Sequence, residues 1–149
     1  MTHSIMKTAN AVGWGGVVLA TLVSSAFAHW GVNEAFHEGW CKPLLWMRLL
    51  QLIHYLSPAI VLCTLTVLGI RWPRVGATLL VLVGVIIAAL IIWDRAKFGV
   101  FLTALLTVVP ALVGLLFLFG HPTPKRAAYA VSIGIPLLLS LTWIMESSW

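Results

Sequence analysis

The stretch VGATLLVLVGVIIAALIIW, residues 75–93, decides the fold. It carries no charged side chain and no apolar/polar alternation. A half-buried strand would alternate with period two and stop after about 4–8 residues, so this is a helix. Crossing the hydrocarbon of a bilayer takes about 20 apolar residues, and this stretch is of that length. Moving outward, similar segments occupy residues 44–70, 98–119, 127–145 and 11–28. The chain therefore reads as all-α, a polytopic transmembrane bundle of five spans in a single membrane domain, residues 1–149. Its one long connection is an outer loop over 29–43.

Composition agrees. Hydrophobic residues make up 61% of the 149 and charged ones 9%. Soluble domains carry about 25% charged residues, so a water-soluble globule is excluded. The net charge of +5 is scattered between apolar runs and not gathered into a patch interleaved with aromatics, which excludes a nucleic-acid partner. Cys41 and Cys63 form no CxxC or zinc-type spacing.

The first segment has a second reading. Lys7, an apolar run and Ala26-Phe27-Ala28 before His29 imitate a signal peptide, which would leave four spans after removal. A new N-terminus at His29 would offer an amine and an imidazole to copper. Against this, Gly16, Ala20, Ser24 and Ala28 recur every four residues, a small-residue stripe that lets helix backbones approach.

Charge sets orientation. With five spans, one side receives Lys7, Arg71, Arg74, Lys125 and Arg126 and no acid. The other receives Lys42, Arg48, Arg95 and Lys97 with all the acids, Glu34, Glu38, Asp94 and Glu146. The positive-inside rule then puts the N-terminus in the cytoplasm and the C-terminus outside, in a cell (inner) membrane. The tryptophans form belts, Trp14 and Trp72 at the inner boundary and Trp30, Trp46, Trp93 and Trp143 among those at the outer one.

Chemistry concentrates in residues 29–54. His29, His37, Glu38 and His54 are imidazole and carboxylate donors suited to a metal, and the imidazoles to haem. Arg48, Gln51 and Tyr55 share a helix face beside His54. Glu38 follows His37, but Cys41 stands where HExxH wants its second histidine. Pro58, Pro110 and Pro136 lie inside spans and each frees a carbonyl; Thr107 and Ser132, one turn before, are the expected donors. Pro58-Ala59-Ile60-Val61 and Pro110-Ala111-Leu112-Val113, each followed by a helix centred on Gly84 or Gly134, suggest a parallel repeat.

Phe36-His37-Glu38-Gly39, Leu52-Ile53-His54-Tyr55-Leu56-Ser57-Pro58 and the turn Arg71-Trp72-Pro73-Arg74-Val75-Gly76 together resemble a family of small prokaryotic integral membrane proteins of four helices and unknown function. The resemblance covers about residues 11–120 and leaves the fifth helix as an extension. It implies a fold and no activity, and it places Glu38 and His54 at shared positions.

The leading expectation is a non-enzymatic accessory or structural subunit, surrounded by bilayer lipid. It would associate with other membrane subunits or with itself through Gly16, Ala20 and Ser24 of the first helix and Gly76, Gly84 and Ala88 of the third. Gly16→Leu or Ala20→Leu would then abolish association. One alternative is a metal- or haem-binding redox protein with its site at the outer face. The other is a small transporter for a neutral or apolar substrate, since helices three to five hold no charge within the bilayer.

Overall fold

A computed structural model describes residues 2–39, 43–93 and 100–147, and all regular structure in them is helical. The helices are α1 (Thr2–Glu34), α2 (Leu45–Arg71), α3 (Pro73–Trp93), α4 (Val100–Phe119) and α5 (Lys125–Ser147). A π-helical turn, Ala35–Gly39, continues α1. α1, α2, α3 and α5 are long and apolar enough to cross a membrane, whereas the apolar stretch of α4, Thr103–Phe119, is shorter. Trp40, Cys41, Lys42, Trp149 and the turn holding Asp94, Arg95 and Lys97 lie outside the described residues.

α1 is the central helix. It packs against α5, α2 and α4, while α3 packs on α4 and α2. Its small-residue stripe makes this possible: Gly16, Ala20, Ser24 and Ala28 are all buried. A stripe with period four presents a nearly straight groove on a 3.6-residue helix, into which neighbouring helices settle closely. The expected association seam is therefore occupied within the chain. Gly76 rests on the backbone of Gly69, and a Cβ on Gly84 would stand 2.6 Å from the Thr107 carbonyl oxygen of α4. Only Ala88 of the six positions is half-exposed. Gly16→Leu or Ala20→Leu would thus strike the fold of one chain before any assembly.

The signal-like tripeptide lies inside α1, with Phe27 and Ala28 buried in the core. The expected outer loop 29–43 is corrected over residues 29–39, residues 40–42 lying outside the described residues. Helix α1 runs on through Glu34, and the π turn carries it to Gly39. The polar residues there suggested a loop, but Ala28, Val32 and Ala35 keep a buried stripe. At about 1.5 Å per residue the 33 residues of α1 span about 50 Å, well beyond the about 30 Å of a hydrocarbon core. The repeat is not reproduced in packing either. Gly84 is pressed against α4, whereas nothing lies within 4 Å of a Cβ built on Gly134.

One end of the bundle gathers the N-terminus of α1, the α2–α3 turn and the α4–α5 connection. Lys7, Arg71, Arg74, Lys125 and Arg126 are all exposed there, as their segregation in the sequence implies. This cationic end is closed by backbone contact. The Gly120–Pro124 connection lies across α1, with a Cβ on Gly13 falling 2.5 Å from the Pro122 nitrogen. Three hydrogen bonds hold it: the His121 amide donates to the Ala9 carbonyl at 3.0 Å, the Thr123 amide to Asn10 Oδ1 at 2.7 Å, and Trp14 Nε1 to the Thr123 carbonyl at 3.0 Å. Below it the ring of Phe117, fully buried, lies against Gly16 and Gly69. In the α2–α3 turn, Arg71 sits 4.8 Å over the ring of Trp72, a cation–π contact, and Pro73 takes the first position of α3.

Candidate functional site

The opposite end joins the last turns of α1, the start of α2 and the end of α5. Gly31 lets α1 meet α2 backbone to backbone, since a Cβ there would lie 2.5 Å from the Tyr55 carbonyl oxygen. The Tyr55 hydroxyl donates to the Glu38 carboxylate of the π turn. The Tyr55 ring is edge-on to Trp30 at 6.1 Å and to His54 at 5.5 Å. On the other side of α1, His29 lies 4.4 Å from the Trp143 ring of α5 at 65°, and its Nε2 is 3.4 Å from Asn33 Nδ2.

Below this polar cap, α2 and α5 stand on either side of α1 and leave a groove of about 500 Å³. Small residues line it, Ala28 of α1, Ala59 and Cys63 of α2 and Ser140 of α5, together with bulkier side chains such as Ile60 and Leu137. Its polar side chains all donate to backbone carbonyls. Cys63 Sγ reaches the Ser132 carbonyl at 3.4 Å, Thr64 the Ile60 carbonyl at 2.8 Å, and Ser140 the Pro136 carbonyl at 2.8 Å. With those donors spent, the groove offers a lining suited to hydrocarbon. Its size falls within the range of small-molecule clefts, about 300–1,000 Å³. A second cavity, about 250 Å³, lies between α1, α2, α3 and α4 beside Pro58 and Pro110.

The helix prolines explain the unexpected role of Cys63. A proline removes the hydrogen bond to the carbonyl four residues before it. For Pro136 that carbonyl belongs to Ser132, and the Cys63 thiol occupies it from α2. For Pro58 it belongs to His54, and Ser57 Oγ donates to it at 2.7 Å. The expected donors do other things: Thr107 bonds the Thr103 carbonyl and Ser132 the Tyr129 carbonyl. The Ser57-Pro58 dipeptide is a local signal. The Cys63 bond crosses between helices 69 residues apart and has no local signature.

The sequence-predicted donors are placed at one end but not converged. Among the described residues no three histidine, cysteine, aspartate or glutamate side chains form a group able to hold a metal ion. Glu38 is engaged by Tyr55 and His29 lies against Asn33 and Trp143, while His37 and His54 are exposed. Cys63 is a free thiol. Sequence reasoning singled out His29 and Glu38, but as ligands; it missed the roles of Asn33 and Trp143 as their neighbours.

The class defined here is an all-helical bundle with four helices long and apolar enough to cross a membrane. The chain belongs to a family described as a domain of unknown function (DUF7670), whose profile matches residues 5–130. That match takes in α1 to α4 and the start of α5. No curated protein and no solved structure gives a significant match to the chain.

Proposed function

We propose that this is an integral membrane protein of the cell (inner) membrane with five spans, its N-terminus cytoplasmic and its C-terminus outside. In this reading it is a non-enzymatic subunit of a membrane assembly whose working surface is the α2/α5 groove. The carrying observation is that groove: it is concave, and its polar side chains are already satisfied by backbone carbonyls. Partners, whether other subunits or copies of the chain, would meet the exposed apolar faces, because Gly16, Ala20, Ser24, Gly76 and Gly84 are taken up inside. The segregated cations support the orientation.

Two measurements test this. Alkaline phosphatase fused after residue 149 should be active and fused at residue 122 inactive; the reverse pattern defeats the orientation. The full chain released from native membranes into nanodiscs should carry bound lipid and partner chains in its mass spectrum. A bare, lipid-free monomer defeats the subunit reading. A transporter for an apolar substrate is the second reading, favoured by the pocket between four helices beside Pro58 and Pro110. Liposome flux that stops when Val61→Trp fills that cavity would support it.

A further inference from the structure

We infer that the cationic end of the bundle is a binding surface for the phosphate of an anionic phospholipid headgroup, with Arg71, Arg74 and Arg126 as its contacts. This rests on the chain being an integral membrane protein; it depends neither on which side is cytoplasmic nor on the α2/α5 groove. Charge is the first ground. Lys7, Arg71, Arg74, Lys125 and Arg126 are exposed at this end. The chain has four acids in all, and none is there. Glu34 and Glu38 stand at the far end of α1, Glu146 falls in the last turn of α5, and Asp94 follows the far end of α3 in sequence. Residues 1–5 hold no acid either. Five cations therefore repel one another with no carboxylate to answer them, and an anion supplied from outside relieves that repulsion.

Geometry gathers three arginines. Arg71 ends α2 and Arg74 lies in the first turn of α3, on either side of Trp72 and Pro73. Gly76 resting on the Gly69 backbone folds that corner tightly. Arg126 comes from α5. The Cys63 thiol of α2 meets the Ser132 carbonyl of α5 at 3.4 Å, which fixes the register of the two helices. Arg71 lies eight residues beyond that bond and Arg126 six, about 12 and about 9 Å along helices that rise about 1.5 Å per residue. The two stand at nearly the same level on neighbouring helices. Headgroup depth is the third ground. Ile70, Val75 and Ala127 adjoin Arg71, Arg74 and Arg126, so each guanidinium is attached where an apolar helix ends. Trp72 is exposed, with Arg71 at 4.8 Å over its ring, and an indole so placed sits at the level of lipid headgroups. That indole favours a lipid interface over an acidic segment of a soluble protein. A guanidinium grips phosphate through two parallel hydrogen bonds. A zwitterionic headgroup brings its own cation to the phosphate, and the same five charges disfavour it.

The experiment uses the full chain, delipidated in dodecyl maltoside, and reads the thermal midpoint. Dioleoylphosphatidylglycerol, dioleoylphosphatidylcholine or inorganic phosphate is added. Phosphatidylglycerol should raise the midpoint by about 3 °C or more at saturation, because it binds the folded state. Phosphatidylcholine and inorganic phosphate at equal concentration should not. Salt at about 0.5 M should shrink the shift, since it screens exposed charges. Each exposed cation adds about fivefold to affinity for an anionic surface, so Arg71→Gln with Arg74→Gln and Arg126→Gln should weaken binding about a hundredfold. Arg71→Lys, which keeps the charge and loses the planar fork, should fall between. Arg48→Gln, at the opposite end, should leave binding unchanged. The unliganded midpoint of each variant serves as its own baseline. An undiminished shift in the triple variant overturns the three-arginine surface. An equal shift with phosphatidylcholine overturns the selection by charge, and an equal shift with inorganic phosphate overturns the lipid as its source. No shift with any of the three overturns the inference and leaves those charges to an acidic protein partner. A chain that stays in solution without detergent or lipid overturns the membrane reading itself.

Discussion

The two ends of this bundle are built in opposite ways. At the cationic end, backbone lies on backbone: Gly13 under the Gly120–Pro124 connection, Gly69 under Gly76, and the Phe117 ring filling what remains. Three hydrogen bonds tie the connection to α1. At the other end, α1 and α2 touch at Gly31, while a groove of about 500 Å³ stays open between α2 and α5 beside the Cys63 bond that joins them. Contacts there are made by side chains, Tyr55 to Glu38 and His29 to Trp143. Close packing without voids resists displacement, since every atom has a partner on each side. A groove flanked by side-chain contacts yields locally. The lesson is that rigidity and vacancy are distributed by where glycine was placed against backbone.

Substitutions can break that contrast. The largest effect is expected from Gly76→Leu at the cationic end, which drives a side chain into the Gly69 backbone. Overpacking of this kind costs about 3 kcal/mol, read as loss of accumulation or a lowered unfolding midpoint in detergent. Trp14→Phe removes the bond to the Thr123 carbonyl together with part of the ring area packed on the core, for about 2 kcal/mol in the same assay. Tyr55→Phe, at the opposite end, should leave the global midpoint unchanged and speed amide exchange in the π turn Ala35–Gly39, because it releases Glu38 of that turn and, besides it, only the Gln51 side chain of α2. Smallest of all, and opposite in sign, Gly15→Ala adds a methyl where nothing lies within 4 Å and should stabilise α1 by about 0.5 kcal/mol. If Gly15→Ala proved as damaging as Gly76→Leu, the contrast would reduce to glycine content and not to glycine placement.

Much of this was legible beforehand. Helix number, the position of most boundaries and the segregation of five cations to one end follow from apolar run length and the placement of charge. Residues 29–39 read as part of a loop and are helical. Histidine, glutamate and asparagine there look solvated, yet Val32 and Ala35 are buried, and tertiary burial outweighed the local polarity. His29, His37, Glu38 and His54 were correctly assigned to one end. Their chemistry was not readable, since convergence depends on helix rotation that apolar sequence leaves open.

The sequence by itself determined that the chain is a set of apolar helices, and which ends of those helices share a side. Both are properties of length and charge along one dimension, where the bilayer thickness and the sign of a loop suffice. Only the tertiary structure decided what the small-residue stripe of α1 packs against, which donor serves the carbonyl freed by Pro136, and that α2 and α5 part to leave a groove. Lipid is as apolar as leucine, so hydrophobicity does not choose between helix neighbours. That choice falls to shape and to single hydrogen bonds such as Cys63 to Ser132, which exist only once the helices have been set side by side.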